Sequence, residues 1–196
     1  MAQPKYAEPM EVDAVPVVTR VGMTADEYFA LPETMQPQNL IEGRLYVSPS
    51  PIDRHQDIVG ELYIELSGYR REHGGYVILS PFDCWLADWT VVQPDTGYVI
   101  AARRQLVDRY MHGAPDLVVE VLSPGTRRFD RQKKLQTYGV NGVREAWLVD
   151  PDAETVTVFT GNGSEWTRER SVLFGEAIPS DIVDIGAGNL VRDTAE

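Results

Sequence analysis

Apolar positions spaced three and four apart mark the helices of this chain, and short apolar runs mark its strands. Ile58, Val59, Leu62, Tyr63, Leu66 and Tyr69 fall on one side of residues 57–72, which predicts an amphipathic helix ended by Gly74-Gly75. Residues 129–140 predict a second main helix. A short helix is expected from Thr24 to about Leu31, with Thr24 as cap, Glu27 completing a capping box and Pro32 at the exit. Strands are expected over 39–47 (with a glycine inside), 76–86, 91–100, 116–122, 146–150, 155–160, 166–170 and 182–185. Asn162-Gly163-Ser164 reads as a hairpin turn. Two main helices among so many strands predict an α/β (α+β) fold with a mixed, strand-rich sheet. Residues 1–22 carry prolines, charges and little periodicity, so an extended or disordered arm is expected before a single domain over 23–196.

Charge changes this picture more than composition does. Eighteen Lys and Arg stand against thirty Asp and Glu, a formal net charge of −12. Generic nucleic-acid binding draws on cations that displace counterions from phosphates, so any such contact must come from a local basic patch. One exists: Arg127, Arg128, Arg131, Lys133 and Lys134 surround the single acid Asp130 within eight residues. A lone cysteine, Cys84, excludes an internal disulfide and a thiolate zinc site. No apolar run reaches the length of a membrane helix and no signal layout opens the chain, so a cytoplasmic protein is expected.

Three places could carry chemistry. Glu120 interrupts the apolar strand Asp116–Leu122 and shares a face with Val118 and Leu122. A carboxylate there needs a partner, a cation or an opening to water, because an unpaired one costs several kcal/mol. The plain alternative is solvation at the strand end. Asp95 follows Pro94 in an apolar approach, and a proline there suggests an edge or a bulge that re-aims the next side chain. On adjacent strands the two acids would stand about 5 Å apart and repel by roughly 3 kcal/mol at an effective dielectric of ~20, a penalty a divalent cation removes. They could equally face opposite ways. Asp130, Lys134 and Tyr138 share a helical face; on a surface helix, such a pair would be worth only ~0.3 to 0.5 kcal/mol.

Seven stretches in one order carry a family resemblance: 23–28 (Met-Thr-Ala-Asp-Glu-Tyr), 40–43 (Leu-Ile-Glu-Gly), 54–56 (Arg-His-Gln), 92–95 (Val-Gln-Pro-Asp), 113–124, Asp130 with Lys134 and Tyr138, and 142–151. They span 23 to about 160. The chain resembles the Uma2-like family (DUF820) of the PD-(D/E)XK superfamily. The resemblance implies a restriction-endonuclease-like core with a mixed sheet flanked by two main helices, and Mg²⁺ (or Mn²⁺) held by Asp95 and Glu120. Asp95, Glu120, Lys134, Glu42 and His55 become the implied catalytic set, with Asn39, Gln56, Asp130 and Tyr138 in support. Tyr138 would buttress Lys134. His55 could hydrogen-bond the site or simply cap the long helix.

Two departures stand out. Leu122 occupies the position of the motif lysine, so Lys134 on the following helix looks like its migrated replacement. Asn39 stands where the family usually writes an acid, which weakens the site if that acid holds metal, although its carbonyl oxygen could still ligate. The implied function is a metal-dependent phosphodiester hydrolase acting on DNA through Arg127, Arg128, Arg131 and Lys133, possible as a homodimer. The alternatives are an inactive nuclease fold serving as a binding module for nucleic acid or protein, or hydrolysis of another phosphodiester.

Overall fold

In the computed structural model of the chain, residues 16–34, 36–48, 53–186 and 190 are described. Among the described residues, twelve strands form two six-stranded sheets, where the sequence predicts one. The first sheet contains β1 (Val17–Val21), β2 (Gln38–Ile41), β3 (Arg44–Val47), β5 (Cys84–Ala87), β6 (Thr90–Val92) and β8 (Met111–His112), in the order β1-β3-β2-β6-β5-β8. The second contains β4 (Tyr76–Leu79), β7 (Thr96–Val99), β9 (Leu117–Val121), β10 (Glu145–Asp150), β11 (Thr155–Gly161) and β12 (Trp166–Leu173), in the order β12-β11-β10-β9-β7-β4. Its central β9 and β10 run parallel; β7 pairs antiparallel with β9.

The extra sheet comes from two places where the chain leaves one sheet for the other. The expected strand over 76–86 breaks at Ser80-Pro81, between β4 and β5, and that over 91–100 breaks at Gln93-Pro94-Asp95, between β6 and β7. Each break contains a proline, which cannot donate to a ladder. The expected single strand over 39–47 is instead the β2–β3 hairpin, with Glu42 (φ 51°) and Gly43 (φ 73°) as its two-residue turn. Positive φ at both central residues matches the twist of tight hairpins, but glutamate is a poor cue for it.

The short helix α1 (Ala25–Phe29) carries the expected Thr24–Glu27 capping box. The long helix α2 (Asp53–His73) begins earlier than the spacing predicts and ends where Gly74, at φ 76°, closes it with a hydrogen bond to Arg70. Its Ile58, Val59, Leu62 and Leu66 pack on one face of the second sheet, against Leu117, Val119, Val121, Trp147 and Val149. The opposite face of β9 presents Val118 and Leu122 to a second core, built with Ile41, Ile78, Val92, Phe129 and Tyr138. Glu120 belongs to that second face.

Residues 182–185 form no strand; the segment packs Ile178, Val183 and Ile185 into the first core. Buried Glu145 holds it, accepting hydrogen bonds from Ser180 Oγ (2.5 Å) and the Asp181 N–H (2.8 Å). Residues 17–21 of the expected arm are strand β1, paired with β3 and solvent-exposed; residues 1–15 lie outside the described residues. Residues 49–52, after Ser48, likewise lie outside the described residues.

Candidate active site

The alternation of β9 turns Glu120 inward, where it is 2% exposed. It is not solvated at a strand end. Lys134 Nζ donates to Glu120 Oε2 at 2.6 Å, and the Tyr138 hydroxyl donates to Oε1. Lys134 is itself buried and spends a second hydrogen bond on the backbone carbonyl of Gln93, at 3.0 Å. Burial pulls the Lys134 ammonium down, but Glu120, Asp130 and Asp95 outweigh it and raise it above its ordinary value. The lysine is therefore held as a cation.

Asp95 reaches the same place from the sheet-to-sheet crossing. Its Oδ2 accepts from His55 Nε2 at 3.0 Å and from the Val121 backbone N–H at 2.8 Å. One residue later, Thr96 pairs with Val119. Burial acts to raise Asp95, but the His55 hydrogen bond and charge, with Lys134 and the Val121 N–H, leave it lowered. His55 sits near the start of α2 and is buried. Burial acts to lower it, and the bond and charge of Asp95, with Asp130 beyond, leave it raised. Its Nδ1 has no partner among the described residues.

The third wall is one continuous helical stretch: α3 (Arg127–Phe129), a wider π-helical turn (Asp130–Lys134) and α4 (Leu135–Val140). The Leu135 N–H bonds back to the Asp130 carbonyl, five residues away. Such π turns occur often at functional sites. Here the turn begins and ends on the two charged residues that face inward, Asp130 and Lys134, both 4% exposed. Burial pushes Asp130 up to about 6 against the pull of Lys134, with Asp95 adding to the rise. Burial likewise pushes Glu120 up to about 8; Lys134 opposes, and Asp95 and Asp130 contribute.

Asp95, Glu120, Asp130, Lys134 and His55 thus line one open cleft of about 220 Å³, together with Asn39 and Gln56. The expected supporting roles differ in the structure. Tyr138 braces Glu120, not Lys134. Asp130 is a buried member of the cluster and not half of a surface pair. Asn39 Oδ1 accepts the Gln93 N–H at 2.9 Å, which positions the crossing and leaves that oxygen one lone pair. Glu42 lies outside the cleft in the β2–β3 turn, 73% exposed and paired with Lys133 at 2.6 Å. The basic segment is also engaged: Arg127 with Asp150 and Asp152, Arg131 with Asp150, and Arg128 with Gln132. Sequence reasoning missed Gln93. Its amide and carbonyl hold Asn39 and Lys134, and a backbone contact leaves no signature in side-chain identity.

Three carboxylates meet one ammonium and one imidazole in this cleft, and their mutual repulsion adds to the burial that raises Glu120 and Asp130. Among the described residues no three acidic, histidine or cysteine side chains converge into a ready-made metal cage. The donors suit instead a hard divalent ion that keeps most of its water, since Mg²⁺ takes one or two carboxylates. Asp95 Oδ1 receives no hydrogen bond among the described residues, while both Glu120 oxygens keep a lone pair beyond their single donors.

Residues 25–188 match the Uma2 family, described as "Putative restriction endonuclease", and the chain belongs to that family. A crystal structure titled as a putative nuclease belonging to DUF820, from Anabaena variabilis ATCC 29413, superposes with a TM-score of 0.73. It is 23% identical, over 86% of this chain and 97% of that one, a likeness of fold. No curated protein matches the chain.

Proposed function

We propose that this Uma2-family chain, nuclease-like in family and fold, is a divalent-metal-dependent phosphodiester hydrolase acting on DNA. The observation that carries the reading is the buried Lys134–Glu120 pair set beside Asp95 in a cleft open to solvent. Asp95 and Glu120 would hold Mg²⁺ or Mn²⁺. A divalent ion bound there supplies polarisation of the scissile phosphate and a bound water of lowered pKa. Lys134, kept protonated, donates to the phosphate oxygen on which charge develops, which a general base could not do in that state. His55 fixes Asp95 by its Nε2 hydrogen bond and leaves the other carboxylate oxygen available. Tyr138 fixes Glu120 in the same manner.

Contact with the DNA backbone is assigned to Arg128 first, because among the described residues its side chain bonds to the neutral Gln132 and to no carboxylate. Arg127, Arg131 and Lys133 must exchange carboxylate partners for phosphates. A homodimer would bring two such clefts to the two strands of a duplex; light scattering at micromolar concentration checks it, and a monomer mass removes it.

One observation favours a second reading, a nuclease fold kept for binding. Asn39, an uncharged residue where the family resemblance places an acid, lines the cleft, and its Oδ1 accepts the Gln93 N–H. Purified protein incubated with plasmid, linear and single-stranded DNA, with and without Mn²⁺, separates the two. Cleavage that requires Mn²⁺ and vanishes in Glu120→Gln supports hydrolysis; binding without cleavage under every condition supports the module.

A further inference from the structure

Next to the cleft lies a second, larger groove of about 640 Å³, within the range of small-ligand sites. Pro81 and Gln93 line both, so the two are contiguous. Phe29 and Tyr110 form one wall, stacked with ring centroids 4.4 Å apart and planes within 17°. Trp85 backs both rings, at 5.8 and 6.1 Å. Arg109 stands at the rim, 82% exposed, its guanidinium 3.7 Å from the exposed carboxylate of Glu33. The floor is polar. Asp83 Oδ1 accepts from the Tyr28 hydroxyl (2.8 Å) and Gln93 Nε2 (2.9 Å), while Oδ2 has no partner among the described residues.

We infer that this groove is a base-binding subsite for a nucleotide of the strand whose backbone enters the adjacent cleft. An aromatic wall offers a stacking surface that any base can use, and an exposed arginine at its rim suits the neighbouring phosphate. The free Asp83 oxygen is an acceptor only, so it favours an exocyclic amino group over thymine, whose one donor, N3–H, lies between two carbonyl oxygens that repel a carboxylate. Gln93 ties the two halves together: its side chain holds Asp83 while its carbonyl holds Lys134. The inference rests on reading the cleft as a nucleic-acid site, but it concerns binding and not hydrolysis.

The test is therefore made in EDTA on the Lys134→Met background, with labelled six-nucleotide oligo-dC and oligo-dT followed by fluorescence anisotropy. Oligo-dC should bind more tightly than oligo-dT. Tyr110→Ala should weaken both by about 5- to 150-fold, the span of one lost base stack. Arg109→Glu, at a position too exposed to threaten folding, should weaken both and flatten the salt dependence. Asp83→Asn, which replaces the free acceptor by a donor, should erase or reverse the dC preference. Parent-like binding of both oligonucleotides by Arg109→Glu and by folded Tyr110→Ala overturns the subsite, as does a failure of the Lys134→Met protein to bind either. Absent cleavage by the parent, with these binding losses intact, would refute the hydrolase reading and leave the subsite standing.

Discussion

The two ends of β9 each bury a carboxylate, and they treat it in opposite ways. At the entry, Asp116 is fully buried; Oδ1 accepts from Arg103 and Arg144, both at 3.1 Å, and Oδ2 from the Ile100 N–H at 3.0 Å. Two guanidiniums serve one acid. At the exit, Glu120 shares a single ammonium with Asp95 and Asp130. A carboxylate that ties structure together is over-supplied with donors, whereas the cleft is left short of positive charge. Burial alone does not tell the two apart; the local balance of charge does.

Five substitutions probe that contrast. Lys134→Met should cut metal-dependent cleavage by about 10²- to 10³-fold, the loss expected of a donor to developing charge. The fold should survive, because Glu120 can take up a proton once its cation is gone. Asp116→Ala should do the reverse, lowering stability by about 3 kcal/mol in urea unfolding, the low end for a broken buried pair because both arginines keep contact with water. Any cleavage lost in that variant should return in proportion to the folded fraction. Equal effects of the two changes on activity would dissolve the distinction between the ends.

Metal sharpens it next. At a free Mn²⁺ concentration 100 times the dissociation constant, binding stabilises by ~2.7 kcal/mol. The parent and Asp116→Ala should both show that rise in melting temperature, and Asp95→Asn should barely move. An identical response in Asp95→Asn would remove Asp95 from the metal site.

pH gives a smaller effect with a definite sign. Glu120 and Asp130 bind protons more tightly folded than unfolded, so stability falls as pH rises from the ordinary carboxylate range through about 6 for Asp130 and about 8 for Glu120. His55, also raised, contributes stability at low pH that is lost as pH climbs through its folded value. In EDTA the protein should melt higher near pH 5.5 than near pH 8, and Glu120→Gln should flatten the slope. A parent that gains stability across this interval contradicts the raised proton affinity of Glu120 and Asp130. Arg128→Ala should change least: a salt slope shallower by about one phosphate contact, with stability unaltered.

Much of this was legible in the sequence, for reasons that differ by residue. Glu120 was visible because a charge in a run of valines violates the strand's own pattern. Asp95 was visible through Pro94, although the proline marks a passage between sheets and not a bulge. Lys134 required the family resemblance, since nothing in its own neighbourhood separates it from four other cations. Asp130 was underrated because helical spacing does not say which face is buried, and a π turn in Asp-Arg-Gln-Lys-Lys has no composition of its own. The hairpin over 38–47 was lost because its turn uses Glu42 where asparagine or aspartate usually announces φ > 0. The docking of Ser180 and Asp181 on Glu145 joins residues 35 and 36 positions apart, a contact no local pattern encodes.

The passage between sheets also sets what can vary in descent. Only Gln93, Pro94 and Asp95 separate β6 from β7, and within them lie the perch for Lys134, the anchor for Asn39 and the partner of His55. Elsewhere a surface loop can lengthen at little cost. One residue inserted here would move Asp95 off the Val121 N–H or draw the Gln93 carbonyl away from Lys134, and no single compensating substitution restores both. These three residues act as a spacer whose length matters as much as the Asp95 carboxylate, so relatives that keep the chemistry should keep both that acid and the number of residues around it.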